Sequence, residues 1–112
     1  MESYSPGEIV RELARISSEL QRGAEVLNEA EVRLAELEQQ ADTTLQRAYI
    51  DATGTDKERT AKSRLQSSEA RFKADLAKVE VNRIKLKIKT LENAQMATQT
   101  ISRIVMSEMR IV

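Results

Sequence analysis

The chain contains no cysteine, no histidine and no tryptophan, and only one proline and three glycines among its 112 residues. Without cysteine it has no disulfide, thiolate zinc site or thiol nucleophile. Without histidine it lacks the usual nitrogen ligand for metals and the commonest general base near neutral pH. Aromatic residues are equally scarce, being limited to Tyr4, Tyr49 and Phe72. A short chain buries a modest fraction of its surface, and one without large rings cannot fill a wide globular interior. A single thin, elongated domain is expected.

Long apolar runs are also missing. No stretch approaches the ~20 apolar residues that span a bilayer, and the first eight residues show no basic segment followed by an apolar one. The expected location is cytoplasmic, away from membranes.

What is present is charge, at 32% of the residues, with 18 basic and 18 acidic side chains that cancel. The cancellation hides a division. Residues 1–53 hold 11 acidic and 5 basic side chains, a net of −6, whereas residues 54–112 hold 7 acidic and 13 basic, a net of +6. Oppositely charged halves suggest that each neutralises the other, in place of a uniformly basic face for nucleic acid.

Chain punctuation sits in two places. Ser5-Pro6-Gly7-Glu8 supplies a hydroxyl N-cap, a proline at the first helical position and a glutamate three residues after the cap. From there Ile9, Leu13, Ile16, Leu20, Gly23, Leu27, Ala30, Leu34, Leu37, Ala41, Thr44 and Ala48 follow alternating steps of four and three. A narrow stripe sustained this far is a coiled-coil seam, which is stable only against another helix. Its residues shrink after Leu37, so the partner helix should approach more closely toward Ala48.

The second break is Ala52 to Glu58, where Gly54 suits a left-handed cap and Thr55 with Glu58 repeats the capping-box spacing. Helix 1 is predicted over about 6–52, a turn over 53–55, and helix 2 over about 56–109, nearly continuous and weakest around Asn93 to Thr100. Leu65, Phe72, Val79 and Leu86 recur every seven residues, and Val81, Ile84, Ile88 and Leu91 form a displaced second stripe. Together they read as one wide apolar face that needs a second partner. The alternation in residues 79–89 also resembles a strand, but no turn signals bound it, so helix is preferred. The predicted fold is all-α, a long antiparallel two-helix coiled-coil hairpin dimerising into a four-helix arrangement.

A turn centred on Gly54 sets residue x opposite about 108 minus x. Glu29, Glu36 and Glu38 then face the region of Arg71, Lys73 and Lys78, and Glu19 and Glu25 face Arg83 to Lys89. Pro6 falls opposite Ser102, so helix 2 overhangs. The overhang exposes Ile104, Val105, Met106, Met109 and Ile111, which are the expected contacts for a protein partner or a second copy, methionine being adaptable at such surfaces.

Arg83, Lys85, Lys87 and Lys89 are the candidate nucleic-acid contacts. On a helix Arg83 and Lys87 share one face and Lys85 and Lys89 the opposite one, and no aromatic residue is interleaved to stack on bases. Catalysis finds no support, because the carboxylates are spaced as a solvated coiled-coil surface and there is no glycine-rich phosphate loop. No cofactor or metal is expected.

Ala48, Tyr49, Ala52, Gly54, Glu58, Arg59 and Ala61 make a further pattern, Ala-Tyr-x-x-Ala-x-Gly followed by Glu-Arg-x-Ala. It resembles small helical proteins from the replication and recombination genes of phages and prophages of Gram-positive bacteria, with similarity continuing through Ala70-Arg71 to Ser102-Arg103. The long N-terminal heptads depart from that pattern. The resemblance implies a phage-derived accessory protein without a defined activity. In physical terms Gly54 provides the cap, Tyr49 covers the hairpin end, and Arg59 reaches the last carbonyls of helix 1. The small Trp-x-Gly secreted hairpins have similar length but carry a tryptophan in the turn, which this chain lacks.

The expected function is a non-enzymatic protein–protein interaction module of phage or prophage origin, an accessory or inhibitor in DNA replication, recombination or host takeover. Its partners would be a second copy and an unidentified protein. One alternative is direct nucleic-acid binding through helix 2, and another is a purely structural oligomerising coiled coil.

Overall fold

The computed structural model describes residues 5–111, the side chain of Ile111 excepted. It consists of two helices, α1 (Pro6–Asp51) and α2 (Asp56–Ile111), folded back as a helical hairpin, with no strand among the described residues. Both starts follow from their caps. The Ser5 hydroxyl accepts from the Glu8 amide at 3.2 Å, while the Glu8 carboxylate accepts from the Ser5 amide at 3.3 Å, completing the reciprocal box. Thr55 accepts from the Glu58 amide at 3.2 Å to open α2.

Ala52 already lies outside α1, one residue earlier than the sequence suggested, and α2 continues to Ile111. There is no break around Asn93. The polar residues there are absorbed locally, with the Thr98 and Thr100 hydroxyls donating to the carbonyls of Ala94 and Met96 at 2.9 and 3.0 Å.

Internal contacts divide into two units. The turn unit runs from Leu27 to Arg83, and the terminal unit joins the chain up to Val26 with the chain from Ile84 onward. In the terminal unit Ile9 and Ile16 are buried, Ile16 completely. Gly23 lies so close to Ile88 that a Cβ built on it would sit 3.1 Å from the Ile88 Cγ1. In the turn unit the buried positions are small: Ala41 and Ala48 on α1, and Ser63, Ser67, Ala74 and Ala77 on α2, with Val81 the one larger member. Small residues on both faces are of the kind that let two helices pack closely.

Every one of the twelve α1 seam positions is buried or half-buried. On α2 the expectation of one wide face is overturned. Val81 is buried and Ile84, Ile88 and Leu91 are half-buried, whereas Leu65, Phe72, Val79 and Leu86 are 77, 61, 55 and 67% exposed. The buried α2 positions Ser63, Ser67, Ala74, Ala77 and Val81, with half-buried Ala70 between them, step by three and four. Residues two beyond Ser63 and five beyond Ser67 fall about 140–200° away, on the opposite side of the helix. The two stripes are therefore two faces.

The register also differs. Gly23 meets Ile88 where residue 85 was expected, and Asp42 meets Arg71 where residue 66 was expected. The first turn of α2 is used to close the end of α1, which displaces the pairing beyond it. Consequently the anticipated pairs of Glu29, Glu36 and Glu38 with Arg71, Lys73 and Lys78, and of Glu19 and Glu25 with Arg83 to Lys89, do not form. Among the described residues the interhelical ion pair is Arg71–Asp42 at 3.2 Å, and the others lie within one helix.

Candidate interaction surfaces

The turn is closed by several hydrogen bonds between the two helices. Its α1 end has no basic residue in the last turn, so the carbonyls that end the helix dipole need outside donors. Arg59 supplies two, from Nε and Nη2 to the Tyr49 carbonyl at 3.2 and 3.0 Å, and Lys62 donates to the Thr53 carbonyl at 2.8 Å. The Arg59 guanidinium also lies 4.3 Å from the centre of the Tyr49 ring, a cation–π contact.

The Tyr49 hydroxyl donates to an Asp56 carboxylate oxygen. That hydrogen bond, reinforced by desolvation and by the Asp56 charge, pushes the phenol above its ordinary pKa. Gly54 holds φ at +114°, and a Cβ there would run into the Glu58 carboxylate. Tyr49, Gly54 and Arg59 are thus gathered at one place, and their arrangement is accounted for by closing the hairpin. Beside it Leu45, Tyr49, Ile50, Thr60 and Ser63 line a shallow apolar groove.

The four basic candidates are all exposed on α2. Arg83 pairs with Glu80 of its own helix at 3.7 Å. None of the four makes an ion pair with α1 among the described residues.

At the C-terminal end Ile104, Met106 and Met109 are more than half exposed. Val105 differs, being half-buried, because it falls on the seam side of α2. The expected overhang contact is therefore narrower than the sequence suggested. Ile111 belongs to α2 by its backbone, but its side chain lies outside the described residues.

The surface that sequence reasoning misplaced is the outer face of α2. Leu65, Phe72, Leu76 and Val79 are all more than half exposed, while the face of the same segment that meets α1 is built from alanine and serine. Between Ser63 and Val79, α2 is apolar on its outside and small on its inside. The seven-residue recurrence was the available signal, and it marked a real stripe on the wrong side.

Among the described residues no three acidic side chains gather as a metal-binding group, and no helix is long and apolar enough to cross a membrane. These features define a two-helix hairpin with an outward apolar ridge. Comparison with protein-family models, with curated proteins and with solved structures finds no match for the chain.

Proposed function

We propose that this protein is a non-enzymatic, self-associating protein-contact module, acting in the cytoplasm as an accessory or inhibitor within phage or prophage DNA replication, recombination or host takeover. The observation that carries this reading is the placement of Leu65, Phe72, Leu76 and Val79 on the outside of α2, with Ile104, Met106 and Met109 exposed near its end. Contiguous exposed apolar groups of this kind mark contact surfaces. The setting comes from the resemblance of the Tyr49–Gly54–Arg59 turn to phage accessory hairpins.

The test is affinity capture from a Gram-positive host lysate, comparing the full chain with one ending at Val105 and with Phe72→Asp. Specific protein capture that either change removes supports the reading. Capture of nothing beyond the controls, with the protein folded, overturns it.

A second reading is favoured by the exposure of Arg83, Lys85, Lys87 and Lys89 without acidic partners from α1. Direct nucleic-acid binding through these residues would strengthen steeply as salt is lowered. Absence of DNA and RNA binding at low salt eliminates it.

A further inference from the structure

The outer face of α2 in the turn unit contains a second heptad seam, separate from the one that meets α1. Leu65, Glu69, Phe72, Leu76, Val79 and Arg83 follow steps of four and three, and all six are exposed. Four are large and apolar. The two charged members carry opposite signs and stand at equal distances, seven residues each, on either side of Leu76.

That symmetry selects an occupant. From the self-association proposed above, we infer that the ridge Leu65–Arg83 is the dimer interface, and that a second copy of α2 lies along it antiparallel, with the two-fold axis beside Leu76. In this arrangement Glu69 of each copy meets Arg83 of the other, Phe72 meets Val79, and the two Leu76 side chains meet at the axis. The interface is isologous, as a two-fold dimer requires. Lys73 and Glu80 flank the same edge and fall beside each other across the interface, extending the charge match.

A parallel dimer through the same ridge would set each residue against itself. Glu69 would face Glu69 and Arg83 would face Arg83 within the apolar stripe, where like charges oppose association. Among the described residues Glu69 and Arg83 are bound within their own chain only by 3.7 Å contacts to Lys73 and Glu80, with side chains 83 and 74% exposed. Both are available to a second copy.

The absence of cysteine makes the test direct, since any introduced thiol is the sole one in its chain. Sedimentation of the unmodified protein should give twice the 12.7 kDa chain mass. Under mild oxidation a mixture of Glu69→Cys and Arg83→Cys chains should cross-link to each other, while Glu69→Cys alone should not. Phe72→Asp should shift the dimer to monomer with its circular dichroism unchanged. Glu69→Arg should weaken the dimer, and adding Arg83→Glu should restore it, an outcome that a merely misfolded variant would not give.

A monomeric wild-type chain overturns both this interface and the self-association on which it rests. If the wild type is a dimer that Phe72→Asp leaves intact, or if Glu69→Cys cross-links to itself, the self-association stands and this interface is wrong.

Discussion

Gly23 and Ile88 approach so closely that an alanine methyl at position 23 would lie 3.1 Å from the Ile88 Cγ1, tighter than ordinary van der Waals contact. Replacing a mid-helix glycine by alanine gains up to ~1 kcal/mol of helix propensity. Here part of that gain is spent on moving Ile88. Gly23→Ala should therefore raise the thermal midpoint only slightly and Gly23→Val should lower it, whereas the gain from Gly23→Ala should be larger in an Ile88→Ala background, where the obstructing Cγ1 is gone. Circular-dichroism melts of these variants check the ordering.

The second glycine effect is conformational. Gly54 sits at φ +114°, where an L side chain is strained by roughly 1–3 kcal/mol. Gly54→Ala should lose about that much stability in urea denaturation. Shortening Glu58, whose carboxylate occupies the Cβ position, should recover little of it, because the backbone strain remains.

The two faces of the hairpin should respond differently to truncation. Ile16 is completely buried, so Ile16→Ala should cost about 2–5 kcal/mol. Phe72→Ala, at a position 61% exposed, should change the stability of the monomer by no more than ~0.5 kcal/mol. Chemical denaturation of dilute protein measures both. Leu27→Asp and Leu34→Asp place a charge on the half-buried α1 seam and should abolish folding, visible as loss of helical signal.

In the turn, the Tyr49 phenol is held above its ordinary pKa, chiefly by its hydrogen bond to Asp56. A raised pKa means that the folded state favours the protonated phenol. The stabilisation is complete below the unfolded value of about 10 and is lost as pH rises through the folded one. Stability should fall at alkaline pH above about 10, and Tyr49→Phe should remove that part of the fall. Urea midpoints of the two proteins across this range provide the comparison.

Much of the fold was legible because it is governed by local rules. Ser5-Pro6-Gly7-Glu8 and Gly54-Thr55 fix where the helices begin and where the chain turns, since capping hydroxyls and a positive φ act within one turn of backbone. The α1 seam was legible as well. Its large residues from Ile9 to Leu37 alternate with charged ones, so the buried stripe is the only apolar stripe that helix has. The turn triad of Tyr49, Gly54 and Arg59 could be placed for the same reason, all three lying within eleven residues of chain.

Helix α2 was harder to read because hydropathy and burial run in opposite directions along its first half, from Ser63 to Val79. Its buried positions from Ser63 to Ala77 carry alanine and serine, which leave little apolar signal, while its strongest signal comes from Leu65, Phe72 and Val79 on the outside. Burial there is decided by the size of what α1 presents. Ala41 and Ala48 leave room for a close approach and favour small partners over large ones.

By itself, then, the sequence determined two capped helices, the turn between them and the face by which α1 packs, because caps and heptads are encoded in neighbouring residues. Only the tertiary structure decided which face of α2 meets α1, how far the register shifts from the turn, and which apolar side chains remain outside. Those depend on steric fit between segments distant in the chain, where an alanine can fill a contact that a leucine would force apart.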